Sequence, residues 1–308
     1  MLISSVSCVL YVGFAMLVRY YLSCICLLLA SITECMAAVD ICQDPSTYSH
    51  LSIGFHNHSK STIERNLGET DQENIYFDLT INSAVDEPMF SAGHRYTVFN
   101  VAGLEPETNG HLHTTFVAFH RLSQTDQRSL RFSIAPAFSA SSNVARHREF
   151  SADALQLLAA VVWGRRLSER VRLRYGICGD HRFGRYRIYP LLSMHWKPHP
   201  DWTVEVGFPI VQLAYRVSAQ FTSNIRIRPD GNEWYVLDKT LTNHSQFVYE
   251  AYALEWTFDW QAQENFVVSA SIGRQMHNRY EMTLLDGSRV HLSSDVATRI
   301  GAALEWRF

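Results

Sequence analysis

The chain has 308 residues, of which 19% are charged and 12% are aromatic, and its formal net charge is -3 at pH 7. A mean hydropathy of -0.10 excludes a bundle of membrane-spanning helices, which requires repeated apolar runs of about 20 residues. The many aromatic residues argue against disorder. Because the net charge is slightly negative, the chain as a whole has no basic surface for nucleic acid, and we predict no nucleic-acid partner.

The first 38 residues have the pattern of a secretory signal peptide. Arg19 is their only basic residue, the apolar residues 20–32 follow it directly, and Ala38 supplies a small residue at the cleavage site. We predict export after removal of residues 1–38, with Met16 as a more ordinary start of the signal than Met1. A retained helical anchor is the weaker alternative, because the apolar run is shorter than the usual span of about 20 residues.

Only two of the six cysteines, Cys42 and Cys178, lie beyond the predicted signal peptide. They are 136 positions apart and do not make the closely spaced set of a disulfide framework. No spacing of Cys and His matches a zinc site. The sequence therefore predicts no disulfide framework, no metal and no cofactor.

Beyond the signal peptide the dominant pattern is an alternation of apolar and polar residues, as in residues 75–81. This alternation predicts β-strands with one apolar and one polar face. Residues 151–167 also fit a helix, but their β-branched residues and alternating neighbours favour a strand. The predicted strands are residues 51–55, 74–84, 94–103, 110–122, 128–139, 151–165, 169–180, 186–197, 201–218, 246–260, 264–276 and 295–308.

Short and long connectors alternate along the chain, as in barrels that have tight periplasmic turns and longer external loops. Within the strand at 201–218 the alternation changes parity at Pro209, which we interpret as a β-bulge. We predict an all-β fold: a closed antiparallel up-and-down transmembrane β-barrel of about 12 strands, or 10 without the first two. It comprises residues 39–308, with 39–48 as a periplasmic N-terminal arm. The long loops are residues 57–73, 219–245 and 276–294.

A soluble β-sandwich also alternates, so strand length and aromatic placement must decide between the two classes. Most predicted strands exceed the five or six residues usual in soluble sheets and reach the about 9–11 residues that a membrane-spanning strand needs. Aromatic residues also collect near the strand ends, as interfacial girdles require. They are Tyr186, Trp196, Trp202, Trp256, Trp260, Trp306 and Phe308.

The last strand ends in a terminal Phe with apolar residues at every second position before it. This run resembles the carboxyl-terminal assembly signal of Gram-negative outer-membrane barrels. The resemblance implies the outer membrane as location, with outer-membrane lipid and the barrel assembly machinery as partners. The residues that carry the signal are Ile300, Leu304, Trp306 and Phe308.

A second resemblance covers about a tenth of the chain, residues 187–215. It rests on Tyr189-Pro190-Leu191-Leu192, Trp196, Trp202, Gly207-Phe208-Pro209 and Leu213-Ala214-Tyr215. The stretch is similar to uncharacterised outer-membrane barrel families of unknown function. Those families imply an outer-membrane location and supply no functional residues.

With the apolar face toward lipid, the polar faces line the lumen, where basic residues outnumber acidic ones. Guanidinium groups bind carboxylate and phosphate with paired hydrogen bonds, so such a lumen favours anionic solutes. The alternative is a ladder of cross-strand ion pairs that fills the barrel. The lumen-facing candidates are Arg131, Arg172, Arg174, Arg187, His195, Lys197, Arg216, Arg299 and Arg307, with Asp78, Glu205, Glu255, Asp259 and Glu305.

One catalytic arrangement deserves comparison with the channel hypothesis. Ser193 and His195 share a strand face, and Asp259 or Glu255 would complete a hydrolytic triad. A Ser-x-His pair is common on strands without catalysis, and the motifs of known outer-membrane lipases are not recognisable here. We therefore predict that the protein is not an enzyme.

Two groups of histidines are spaced closely enough to suggest a metal site. No carboxylate accompanies them at matching spacing, so we interpret them as solvated loop residues. They are His50, His56 and His58 in one group, and His111 and His113 in the other.

Three functions stay open. The favoured one is a passive, porin-like channel or transporter for small and preferably anionic solutes. The others are an outer-membrane hydrolase acting on lipid and a structural or surface-interaction barrel whose long loops meet a partner.

Overall fold

The computed structural model describes residues 41–43, 49–64, 68–82, 88–102, 110–147, 150–237, 244–283 and 288–308. The predicted signal peptide lies outside the described residues. Within this part of the chain, no helix has both the length and the apolar character needed to cross a membrane.

The described chain is almost entirely β-structure, as the alternation predicts. One short helix, α1 (Ser142–His147), and one 3-10 turn (Ala152–Ala154) lie between strands. The strands are β1 (His50–Ile63), β2 (Gly68–Ile81), β3 (Pro88–Ala102), β4 (Gly110–Gln124), β5 (Arg128–Ser141), β6 (Leu155–Arg166), β7 (Val171–Asp180), β8 (Arg187–His199), β9 (Trp202–Phe208), β10 (Val211–Arg216), β11 (Phe221–Pro229), β12 (Asn232–Leu237), β13 (His244–Gln263), β14 (Phe266–Thr283), β15 (Arg289–Ser294) and β16 (Ala297–Arg307).

Of the 16 strands, all but β12 and β15 form the ring of a closed antiparallel up-and-down barrel, which therefore has fourteen strands. β1 pairs with β16, from His50 opposite Arg307 to His58 opposite Arg299, so the ring has no free edge where the chain ends meet. β15 continues the line of β16 along β14, and β12 pairs with β13. The predicted fold class is confirmed, whereas the predicted number of 12 strands is wrong.

The first extra strand arises at Pro209. Instead of one bulged strand, residues 201–218 form the hairpin β9–β10, in which Tyr215 lies opposite Trp202. Proline has no N–H to donate to a strand ladder, and the chain reverses at this point. A bulge and a tight turn both change the parity of the alternation, so the pattern alone does not distinguish them.

The second extra strand, β11, lies inside the predicted loop 219–245. Ile225 and Ile227 are exposed on its outer face while Arg228 is buried on its inner face. The sequence carries this alternation, but the outward Ser223 interrupts it. The indole N–H of Trp256 donates a hydrogen bond to Ser223 Oγ at 2.8 Å, which satisfies this polar side chain on the outer face.

The other two predicted loops are also shorter than expected. β1 extends to Ile63 and β2 begins at Gly68, and β14 extends to Thr283. Outward positions in these extensions are often polar: Lys60 Nζ, for example, lies 3.3 Å from Glu69 Oε2. The apolar alternation fades there although the backbone pairing continues, and an argument from hydrophobic period alone misses such strand ends.

We call the barrel end that holds His50 and Phe308 the turn end, and the opposite end the loop end. Leu157, Ile177 and Ile188 are each more than half exposed on the outer wall, which is the surface that lipid solvates. At the turn end, outward aromatic side chains pair across strands, with the Trp202 and Tyr215 rings 4.5 Å apart. All the residues of the predicted girdle are exposed: Tyr186, Trp196, Trp202, Trp256, Trp260, Trp306 and Phe308.

The terminal Phe lies at the seam that closes the barrel. Its N–H donates to Ser49 O at 3.1 Å, and its ring is exposed beside that of Trp306, at 5.4 Å. We expect deletion of Phe308 to reduce the membrane-inserted, heat-modifiable form on a gel to a small fraction of the wild-type level. A change on the lipid face near the interface costs only about 0–1 kcal/mol, so a large loss indicates recognition during assembly rather than stability.

Phe221→Ala provides the matched control, because Phe221 is an exposed aromatic residue at the same end of the barrel on an internal strand. This variant should insert normally. Equal outer-membrane levels for the Phe308 deletion and Phe221→Ala would contradict the assembly-signal prediction.

Candidate functional site in the barrel lumen

The loop end of the lumen is filled by β12. This strand pairs with β13 and meets the opposite wall at a bridge between Tyr235 and Ala140 of β5. Trp234, near its centre, is 1% exposed. The Trp234 indole Nε1 donates to Thr114 Oγ1 of β4 at 3.1 Å. β12 therefore crosses the barrel mouth from β13 to β4 and β5.

An aromatic cluster packs against β12 and completes this closure. The ring of Phe99 lies 6.0 Å from that of Trp234, 5.1 Å from that of Phe247 and 5.3 Å from that of Tyr249, each with an edge toward a face. Edge-to-face contacts at these distances stabilise a packed aromatic core. The loop end of the described lumen is thus a hydrophobic core and not an open pore.

Below this core, a set of ion-paired groups crosses the lumen, and we call it the charge network. Four walls contribute to it, because β3, β11, β13 and β16 each supply a charged side chain. The network consists of Arg95, Arg226, Arg228, Asp230, Glu255 and Arg299.

Glu255 is one of the two carboxylates in the charge network and is 2% exposed. One of its oxygens lies 3.0 Å from His56 Nε2 and 3.5 Å from Arg299 Nε. The other oxygen accepts from Arg226 Nη2 at 3.1 Å. A buried carboxylate requires this number of partners because it has lost its hydration.

Asp230 is the second carboxylate and lies in the connector between β11 and β12. Its carboxylate oxygens lie 2.7 Å from Arg299 Nη1, 3.4 Å from Arg228 Nη1 and 3.7 Å from Arg95 Nη2. Arg299 therefore bridges both carboxylates. The four guanidinium groups against two carboxylates leave the network two positive charges in excess.

His56 and His58 lie on the inner face of β1 and are 3% and 2% exposed, so their interpretation as solvated loop residues is wrong. The reason is local: β1 continues through both residues, and a period of two turns both side chains inward. Gly301, opposite His56 on β16, makes room for the imidazole, because a Cβ there would collide with that ring.

The remaining histidines of those two groups are also on strands rather than in loops. His50 Nε2 lies 3.3 Å from Asp78 Oδ2. His111 and His113 lie on β4, and His113 Nδ1 is 3.3 Å from His94 Nε2 on the neighbouring strand β3. In the described residues, no metal-binding group of three or more side chains includes any of these histidines.

Residues 41–43, which we call the occluding segment, lie in the lumen between β5 and β7. Ile41 and Cys42 are each 1% exposed and pack with apolar inner-wall side chains such as Leu158. The guanidinium of Arg131 donates to the carbonyl oxygens of Cys42, at 2.9 Å, and of Gln43. This part of the predicted periplasmic arm is therefore inside the barrel.

Cys42 and Cys178 form a disulfide that ties the occluding segment to β7. Their Cα atoms are 6.0 Å apart, within the usual range for a disulfide. The sequence alone does not pair these two cysteines, since a separation of 136 residues carries no spacing signal. Such a bond fits an exported protein, because disulfides persist in oxidising compartments.

At the turn end, the occluding segment forms one wall of a cavity of about 390 Å³, which we call the cationic vestibule. Five fixed cations line it against two carboxylates, a net charge of +3. No carboxylate in the described residues pairs with four of those cations, Arg166, Arg170, Arg172 and Lys197. The lining residues are Gln43, Arg166, Ser168, Glu169, Arg170, Val171, Arg172, Arg174, His195, Lys197 and Glu205.

A second cavity, of about 250 Å³, lies at the turn end among β1, β11, β13, β14 and β16. Its charged groups are Arg226, Glu255, Asp259 and Glu305, so it is acidic. Ser269 Oγ donates to Asp259 at 2.6 Å. At the turn end, the lumen therefore separates its charges, with an excess of cations in the vestibule beside β6–β8 and an excess of carboxylates in this second cavity.

The structure places the predicted lumen residues in three environments. Arg131, Arg174, Glu255 and Arg299 are buried inside the barrel with polar partners. Arg172 and His195 line the cationic vestibule. Two others lie at the ends of their strands and are exposed: Arg187, 3.7 Å from Glu250 at the loop end, and Arg216 at the turn end.

The predicted hydrolytic set is not assembled. Ser193 Oγ accepts a hydrogen bond from Arg174 Nε at 3.1 Å. His195 lines the cationic vestibule, whereas Glu255 and Asp259 line the acidic cavity. Neither carboxylate is therefore placed to orient His195 as a base.

Sequence reasoning missed Arg95, Arg226, Arg228, Asp230 and the occluding segment. Arg226, Arg228 and Asp230 lie in the predicted loop 219–245, and Arg95 contacts Asp230. The alternation of Arg226 and Arg228 with Ile225 and Ile227 was the available signal for the inner face of β11.

A closed ring of antiparallel strands, an apolar exterior with an aromatic girdle, and a polar lumen define a transmembrane β-barrel. The chain belongs to the family described as a domain of unknown function (DUF6268), which matches residues 90–289. No protein of curated function shows a significant match to the chain.

Several solved barrels are similar to this chain at low sequence identity. The COG4313 outer membrane channel from Pseudomonas putida F1 is 7% identical, with a TM-score of 0.48, over 89% of this chain and 100% of that one. The KdgM porin is 8% identical, with a TM-score of 0.34, over 83% and 99%. The P. putida toluene transporter TodX is 9% identical, with a TM-score of 0.37, over 86% and 91%.

Proposed function

We propose that the protein is a passive channel of the Gram-negative outer membrane for small solutes, with a preference for anions. The observation that carries the proposal is the cationic vestibule, where four cations that form no ion pair within the described residues surround water-accessible space inside a closed barrel. Low-dielectric walls focus the field of such charges and raise the local concentration of counter-ions. The predicted signal peptide and terminal assembly signal support the location.

In this conformation, β12 and the aromatic cluster close the loop end, and the occluding segment closes the inner end of the vestibule. A conducting state therefore requires these inserts to move. β12 and the occluding segment are insertions into the lumen and not part of the ring of fourteen strands, so their displacement leaves the barrel ladder intact.

The charges divide into two roles on this proposal. Arg131, Arg174 and Arg299 are held by partners, as in the ion-pair ladder that the sequence analysis weighed as an alternative. Arg166 and Arg172 have no carboxylate partner in the described part of the chain and line the cationic vestibule, where they would act on solutes.

We expect refolded protein in planar bilayers to show an anion-selective reversal potential in a salt gradient. The double variant Arg166→Gln/Arg172→Gln should shift the reversal potential toward cation preference, because it removes two of the four vestibule cations that have no ion-pair partner among the described residues. Selectivity of the wild type should weaken at 1 M salt, where the Debye length is about 3 Å. The measurements are made on the wild type, which has the occluding segment, and on a chain that begins at Asp44, which lacks it.

Arg165→Gln is the matched control for charge. Arg165 is next to Arg166 at the same height but on the outer face of β6, opposite Leu173. It should leave selectivity unchanged. If neither chain conducts at any salt concentration, the channel proposal fails and the filled lumen favours the second candidate, a structural barrel.

A further inference from the structure

The inner wall of the cationic vestibule places like charges side by side. Arg166 of β6 lies directly opposite Arg172 of β7, and Lys197 of the next strand, β8, lines the same cavity. Like charges that face each other across strands destabilise a sheet. A bound anion would offset this repulsion, so the row is suited to binding an anion.

The carboxylates of the vestibule do not neutralise this row. Glu205 is engaged by the guanidinium of Arg174, which also donates to Ser193 Oγ at 3.1 Å. Glu169 lies on the exposed turn between β6 and β7 and forms no ion pair within the described residues. The positive charge of Arg166 and Arg172 is thus available to a ligand.

The size of the site selects among anions. A cavity of about 390 Å³ lies in the range of small-molecule pockets. Neighbouring strands are about 4.8 Å apart, so the row from β6 to β8 extends over about 10 Å at the backbone. A solute with two or more charges contacts several of these cations together, whereas a monovalent ion contacts one and is screened by salt.

We propose that the cationic vestibule binds small soluble oligo-oxyanions, that is, diphosphates or polycarboxylates, through Arg166, Arg170, Arg172 and Lys197. The inference names the solute class of the proposed channel and rests on that function for its role, but binding itself needs no conduction. The alternative source of the same chemistry is an anionic lipid headgroup. The inner-face position of Arg166 and Arg172 favours the soluble ligand, since Arg165 and Arg128 present their charge on the outer face.

The test is isothermal titration calorimetry of the full refolded barrel in a zwitterionic detergent at low salt, with inorganic pyrophosphate as the probe. We expect one site per barrel, with affinity for pyrophosphate at least about tenfold higher than for orthophosphate and no measurable binding of acetate. Arg172→Gln and Arg166→Gln should each weaken the affinity about tenfold, the loss expected for one charge-assisted contact. Arg165→Gln should leave it unchanged, and heat-modifiable migration should confirm that each variant is folded.

The outcomes separate this inference from the channel proposal. Pyrophosphate binding without conductance would support the anion-binding site and contradict the channel proposal. Conductance without pyrophosphate binding would support the channel and contradict the anion-binding site. Equal weakening by Arg165→Gln and Arg172→Gln, or equal affinities for pyrophosphate and orthophosphate, would overturn the inference. Binding of phosphatidylglycerol vesicles that is lost with Arg172→Gln, in the absence of pyrophosphate binding, would overturn it in favour of a lipid headgroup.

Discussion

Replacement of Glu255 by glutamine is expected to lower the free energy of unfolding by about 3–5 kcal/mol, the usual cost of removing one partner of a buried ion pair. Glu255 contacts His56, Arg226 and Arg299. Without its charge, the guanidinium groups of Arg226 and Arg299 keep their desolvation cost and lose a counter-charge. Urea unfolding in phosphatidylcholine vesicles, followed by tryptophan fluorescence, measures the change.

Glu305→Gln is the control for this measurement. Glu305 lies on β16, two strands away from β13, and its contact with Arg307 Nε, at 2.6 Å, leaves both side chains more than a quarter exposed. A partly exposed ion pair of this kind contributes about 0–1 kcal/mol, so this variant should be close to wild type. An unfolding free energy for Glu255→Gln equal to that of Glu305→Gln would show that the charge network does not hold the barrel together.

Release of the occluding segment is expected to raise several-fold the single-channel conductance of the state in which β12 has moved out of the loop end. Cys42 is held covalently to Cys178, and Arg131 holds the backbone at Cys42 and Gln43. Reduction removes the covalent tie, and removal of the segment joins the cationic vestibule to the lumen above it. Conductance should increase from the wild type to the reduced wild type, and again to the chain that begins at Asp44.

The double variant Cys42→Ala/Cys178→Ala controls for other effects of the reductant. It should conduct like the reduced wild type and should not respond to reductant. Heat-modifiable migration should show a folded barrel in every case. The same conductance for the wild type with and without reductant, and for the chain that begins at Asp44, would contradict an occluding role.

The strands, their two faces and the membrane-facing exterior follow from the sequence, because these properties are local. A period of two assigns each side chain to one face, and lipid on one side and water on the other keep that period visible, as in Ile188 outward and Tyr189 inward. The same rule placed Arg131, Arg174, Glu255 and Arg299 on the inner face. The alternation fades where outward residues are polar, so it does not predict the ends of β1, β2 and β14.

The strand number, the disulfide and the pairing of the lumen charges were decided only by the tertiary structure. The alternation of apolar and polar residues changes parity at Pro209 whether the chain forms a bulge or a tight turn. Only the pairing of β9 with β10 reveals the hairpin. Cys42 meets Cys178, and Arg95 meets Asp230, across the inside of a closed ring. Residues far apart in the chain become neighbours there only after the ring closes, and no local pattern of side chains records which of them will meet.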